Sequence, residues 1–343
     1  METLIGVSLV GVGAICGGLF ALPSKFAGAD TPWEKLWGFF FLFVSFTLPP
    51  FCLLFVDGAW ATWRAAGLVI LYPLLFGALW GCGSAAAATA YKLIGISLGF
   101  AIMPGIQVVL GPLVPLFVQH PERVATLGGM TVILGITISL LGVIACGRAG
   151  ILRSRGSKEA GDKTEEASRN RTVMVKGLLV CFLGGALCSC LNFGFSFGQP
   201  ILNMAIDTYN NAPAAATITV WVPALFGGGV AACSYCIYLL TKNKTWASLK
   251  SPDTPRILFL ALSMALLHNG CLFFYGLGAQ YLGELGTSVG FALLFCGMLL
   301  VGNIVGFTTG EWKGAPANSR NMIMTGLAGL ILGICILAVA NAL

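Results

Sequence analysis

The chain has 343 residues, 57% of them hydrophobic and only 9% charged, with 46 glycines and a net charge of +6. A soluble domain carries about 25% charged residues, so a water-soluble globular protein is excluded, and repeated apolar runs near the ~20-residue length of a bilayer span predict an all-α polytopic membrane protein. The positive charge lies in the loops between those runs, which argues against a nucleic-acid partner and for the lipid bilayer as the surroundings.

Ten spans are predicted, at about 4–22, 37–56, 67–90, 93–118, 126–146, 174–197, 213–240, 256–280, 285–309 and 321–342. The first has no basic segment before its apolar run, so it reads as a span rather than a cleaved signal peptide. The fourth carries Pro104, Pro112 and Pro115 among several glycines. Proline lacks the backbone donor and bends a helix, so weakened hydrogen bonding is expected there. Residues 148–173 form the longest polar interruption and read as a solvated linker. It divides a first five-span half, 1–147, from a second, 174–343.

An internal repeat supports that division. Gly95, Ser97, Gly99, Phe100 and Ala101 recur 191 residues later as Gly286, Ser288, Gly290, Phe291 and Ala292. Two homologous halves are a common way to build a transporter. Seventeen of the nineteen Lys and Arg residues fall in the linker or the loops after odd-numbered spans, with only Arg64 and Arg123 opposite. The positive-inside rule then places those loops in the cytoplasm and both termini outside. Five spans per half make the repeats inverted, with a pocket expected between the fourth and ninth spans, lined by the first, third, sixth and eighth.

No charged residue falls in the middle of a span. Buried charge in a membrane marks ion or charged-substrate handling, so its lack favours a neutral, hydroxylated substrate. The polar groups at depth are Ser84, Thr89, Gln107, Ser189, Asn192, Ser196, His268, Asn269 and Asn303. Each can serve as interhelical hydrogen-bond glue. Gln107, Asn192, His268 and Asn269 can also donate and accept at once, as sugar hydroxyls require. Trp80, Trp221, Phe274 and Tyr275 offer flat apolar faces for a sugar ring, so Trp80, Gln107, Asn192, Trp221, His268, Asn269 and Tyr275 are the candidate substrate-binding residues. His268 is the in-span group whose ordinary titration lies near neutrality and is the candidate proton carrier; a neutral histidine satisfied by a carbonyl is the alternative. Lys25, Glu34 and Glu311, at span ends, are candidate gate or proton-entry groups, although charges there are ordinarily solvated. No metal or cofactor site is indicated by the spacing of His, Cys, Asp and Glu.

Several motifs together resemble the L-rhamnose–proton symporter family of the drug/metabolite transporter superfamily. They are Pro23-x-Lys25, Trp33-Glu34 with Trp37, Leu75-Phe76-Gly77-Ala78-Leu79-Trp80-Gly81, Arg148-Ala149-Gly150, Lys176-Gly177-Leu178, Gly227-Gly228-Gly229 and Glu311-Trp312. The resemblance runs essentially end to end. It implies ten spans in two five-span halves and proton-coupled uptake of L-rhamnose, or a related deoxysugar such as L-lyxose or L-mannose, across a bacterial inner membrane. The alternatives are the same fold carrying another small metabolite or coupled to sodium, a membrane-embedded enzyme, and a non-transporting sugar sensor. The enzyme would need clustered nucleophile, base or metal ligands, and none stand at workable spacing.

Overall fold

The computed structural model describes residues 1–28, 30–94, 96–158, 169–340 and 343. It is all-helical among the described residues, and ten helical stretches are long and apolar enough to cross a membrane. In order the helices are α1 (Glu2–Leu19), α2 (Trp33–Leu42), α3 (Leu48–Cys52), α4 (Ala59–Ala66), α5 (Leu71–Ile94), α6 (Ile96–Gln119), α7 (Leu127–Lys158), α8 (Arg169–Phe197), α9 (Gln199–Asp207), α10 (Pro213–Lys242), α11 (Thr254–Tyr281), α12 (Gly286–Thr308) and α13 (Ala317–Ala340). Each expected span meets one of these stretches. A backbone in hydrocarbon must satisfy its own N–H and C=O groups, and a helix does so within one segment.

The fourth span departs from expectation. α6 is continuous through Pro104, Pro112 and Pro115. These prolines are separated, so each missing donor stands among intact turns. The irregular span is the second, where α2 gives way to a π-helical segment, Phe43–Thr47, and then to α3. Pro49 and Pro50 follow at once. Two adjacent prolines remove two successive donors, and a wider turn is one way for the helix to accommodate them. Helix runs into both ends of the expected linker 148–173, with α7 continuing to Lys158 and α8 beginning at Arg169; residues 159–168 lie outside the described residues.

The chain packs as two compact units, Met1–Cys82 with Cys190–Gly283, and Gly83–Ser189 with Glu284–Leu343. Each takes segments from both sides of the linker, so packing groups the chain differently from the repeat halves. In the first unit α1 lies against α11 with almost no side chain between them: a Cβ on Gly6 would run into Leu282, and one on Gly278 into the Gly6 backbone and Val10. The second unit is built around α7 against α13. A Cβ on Gly142 would meet the backbone of α13 at Gly326 and Leu330, one on Gly326 would meet Cys146, and one on Gly333 would meet Ser139. Small residues that let backbones approach are the usual membrane interface, because lipid provides no hydrophobic drive to associate.

Short polar knots tie the ends of the first unit. Asn211 accepts from the Asp57 N–H and donates to the Asp57 carbonyl, both at 2.8 Å, and donates to the Ala205 carbonyl at 3.0 Å. The neighbouring Gly58 has a left-handed backbone, φ 63°, and packs so closely on the Tyr209 ring that a Cβ would collide with it.

Candidate functional site

Two aromatic–polar clusters occupy the first unit, and they hold six of the seven expected binding residues. The first surrounds His268 on α11. Its ring lies 5.6 Å from Phe20, just after α1, 5.6 Å from Phe40 on α2 and 5.5 Å from Trp80 on α5, measured between ring centroids. Trp80 fits flat against Gly228 of α10, where a Cβ would strike its six-membered ring. The next residue on α11, Asn269, donates through Nδ2 to the Val44 carbonyl at 3.3 Å. Val44 lies in the π-helical segment, and the residue five places on is Pro49, which has no N–H to give. The side-chain amide therefore supplies a donor where the main chain runs short.

Three polar atoms in this neighbourhood are buried without a hydrogen-bond partner: His268 Nδ1, Asn269 Oδ1 and the Oγ of Ser45, in the same π segment. A buried polar group left unsatisfied costs about 1–3 kcal/mol, and folded proteins contain few of them. Three together are the mark of a place where a ligand or water belongs.

The second cluster is closed. Tyr275 on α11 donates to the Asn192 amide oxygen on α8, and both residues have no exposed surface. Phe195 stacks on Trp221 of α10 at 4.5 Å and 7°, with Tyr275 at 5.6 Å from Phe195 and 6.2 Å from Trp221. Trp221 Nε1 is buried without a partner. A cavity of about 50 Å³ touches both clusters, with Trp221, Leu225, Asn269, Leu272 and Pro49 on its walls. A water needs about 10–15 Å³ of such volume, so the cavity has room for a few waters.

The gate candidates separate. Glu34, in the first turn of α2, is buried rather than solvated and accepts from Asn243 Nδ2 at 3.0 Å and Thr245 Oγ1 at 2.6 Å. Its neighbour Lys35, 1% exposed, donates to Asp253 and to Ser251, each at 2.8 Å. The Lys35 ammonium and the Ser251 hydroxyl hold the Asp253 carboxyl below its ordinary range. Two consecutive residues thus pin the start of α2 to the α10–α11 connection. Lys25 is exposed on the 3-10 turn Leu22–Phe26. Glu311 belongs to the second unit and pairs with Arg153 at 3.4 Å, whose guanidinium lies 4.9 Å from the Trp312 ring centre.

Gln107 also belongs to the second unit. It is half-buried and donates to the Met103 carbonyl of its own helix at 3.4 Å. The contact between the fourth and ninth spans, α6 and α12, is filled at Gly111, where a Cβ would meet the Phe291 ring. The cavity of this unit lies elsewhere, about 460 Å³ along α6, α7 and α8, lined by Ile102, Ile106, Val109, Ile144 and Phe182 with Arg148 as its charged member. Apart from Arg148 its walls are apolar. Of the repeated motif, Gly95 lies outside the described residues, whereas Ser288, Gly290, Phe291 and Ala292 of the second copy are all buried.

Sequence reasoning missed Ser45, Lys35, Phe20 and Phe40. The Pro49-Pro50 pair inside the second span was the visible signal for the π segment. A lone serine and two phenylalanines in apolar runs carry no such signal.

The model of the family described as L-rhamnose-proton symport protein (RhaT) matches residues 2–342. Similar proteins include the L-rhamnose-proton symporter of Cronobacter sakazakii, 27% identical over 341 residues, and those of Klebsiella pneumoniae, 26%, and Shigella dysenteriae, 25%. In each case 96% of this chain and 96% of the relative are covered.

Proposed function

We propose, from the premise that this chain belongs to the L-rhamnose-proton symport protein (RhaT) family, that it is a secondary transporter coupling inward proton movement to uptake of L-rhamnose or a closely related neutral deoxysugar. The observation that carries the reading beyond family membership is the His268 cluster. It combines a flat indole, an imidazole nitrogen and an amide oxygen without partners, and no charged side chain among them. That set can take the apolar face of a sugar ring and its hydroxyls, and offers a cation no counter-charge.

In this reading Trp80, His268 and Asn269 contact the sugar, and Trp221 with its unpartnered Nε1 extends the site through the small cavity. Asn192 and Tyr275 act as the bonded wall behind them. Gln107, on the second unit, is not part of this set. The Glu34–Lys35 clamp is the gate on the cytoplasmic side, and His268 is the coupling group. Transport runs by alternating access of two inverted halves in a bacterial inner membrane, with both termini periplasmic and the linker cytoplasmic.

Purified protein in proteoliposomes is the test. An inward proton gradient is expected to drive L-rhamnose accumulation, and an inward sodium gradient is not. His268→Ala is expected to abolish uphill uptake while sugar exchange continues with weaker sugar affinity. Accumulation driven by sodium alone would reject the proton, and failure with every deoxysugar would reject the substrate class. An unchanged pH profile in His268→Ala would remove that residue from coupling.

A further inference from the structure

We propose that the π-helical segment Phe43–Thr47 is itself a binding subsite, with Ser45 as the residue that takes a hydroxyl of a neutral polyhydroxylated solute. The proposal rests on the sugar-transport reading and adds to it an element and a residue that the reading does not use.

Ser45 is one of three buried helical serines, with Ser139 and Ser288, whose hydroxyls make no hydrogen bond among the described residues, and it alone of the three lies in the π segment whose Val44 carbonyl takes the Asn269 amide. A helical serine commonly donates back to the carbonyl four residues earlier, as Ser8, Ser234 and Ser263 do at 2.7–2.8 Å and Ser189 does at 3.1 Å. Ser45 is 1% exposed, and its hydroxyl makes no hydrogen bond at all. The backbone around Ser45 is a π turn. It replaces the regular four-residue spacing of carbonyls by a wider one, and Pro49 and Pro50 remove the next donors along the chain.

The surroundings point to a ligand. Asn269 gives its N–H group to the carbonyl of Val44, next to Ser45, which leaves the amide oxygen as an unused acceptor beside the segment. His268 Nδ1, the adjoining residue's polar atom, is unused as well. Facing Ser45 is Gly229, where a Cβ would occupy the space of the serine Cβ and Oγ. Its neighbour Gly228 seats Trp80. Gly228 and Gly229 therefore let the indole and Ser45 pack directly against the α10 backbone, with no side chain of α10 between. A hydroxyl that can donate or accept, an amide acceptor, an imidazole nitrogen and an indole face are the groups a sugar needs.

The experiment pairs ligand-free stability with L-rhamnose affinity for wild type, Ser45→Ala and Gly229→Ala. Melting is followed in detergent, and affinity by the thermal shift with rising sugar. Because the Ser45 hydroxyl has no partner in the free protein, Ser45→Ala is expected to melt no lower than wild type while its affinity falls about tenfold, the size of one lost hydrogen bond. Gly229→Ala is expected to lower affinity too, by pushing Ser45 aside. Ser45→Ala with a lowered melting temperature and unchanged affinity would make the serine structural and overturn the subsite. Wild type without a shift for any sugar would overturn the transport reading and the subsite together. A wild-type shift retained in Ser45→Ala would overturn the subsite alone.

Discussion

Asn192 and Tyr275 are buried and bonded to each other, so the fold holds both before any substrate arrives. His268 and Asn269, about two turns earlier on α11, keep polar atoms without partners. The two pairs should therefore respond differently to substitution. Tyr275→Phe leaves the shape of the ring in place and takes a donor from the Asn192 amide oxygen. It is expected to cost about 1–3 kcal/mol of stability, read as a lower melting temperature in detergent, with sugar affinity little changed in the protein that remains folded. A large affinity loss at unchanged stability would move Tyr275 into direct contact with substrate. At this scale the sequence was informative about residue type only. An imidazole and an amide inside an apolar span stand out, and they did lead to His268 and Asn269. Whether such a group is satisfied depends on what faces it from another helix, and for Asn192 that was a tyrosine 83 residues away.

Among the elements, the second and fourth spans show how proline spacing acts. α6 absorbs three separated prolines and stays helical, whereas the adjacent Pro49-Pro50 pair follows a π-helical turn. Counting helix breakers pointed to the fourth span; their adjacency mattered more, and the available donor from Asn269 on another helix could not be seen in the sequence. Glycines divide in the same way. A Cβ on Gly142 would meet the α13 backbone, while Gly11 has nothing within 4 Å of its Cβ position. Gly142→Val is expected to destabilise by about 1–3 kcal/mol through overpacking. Gly11→Ala is expected to be neutral or slightly stabilising, because alanine is the better helix former. Thermal unfolding of the two variants side by side checks both, and equal melting temperatures would show that the α7–α13 interface tolerates separation.

For the whole molecule, the ten spans and the asymmetry of Lys and Arg lead to one topology. Single cysteines placed at Glu2 and in the 159–168 segment, in a background without the native cysteines, are expected to react with a membrane-impermeant thiol reagent from opposite sides of intact cells: the terminus from outside, the linker only after lysis. Labelling of the linker from outside and of the terminus only after lysis would reverse the orientation, and labelling of both from outside would overturn the five spans between them. The chain itself determined its class, its spans, the lack of charge at their centres and its family likeness, because bilayer thickness and the cost of burying charge act on each segment separately. The tertiary structure alone decided that packing groups the chain as 1–82 with 190–283 and 83–189 with 284–343. It also decided that Glu34 and Lys35 are buried against the α10–α11 connection, and that Ser45, next in the chain to the Val44 carbonyl that Asn269 bonds, is left without a partner. Those outcomes depend on which helices meet, and that is set by close contacts between residues about two hundred positions apart, to which no local pattern of apolar residues is sensitive.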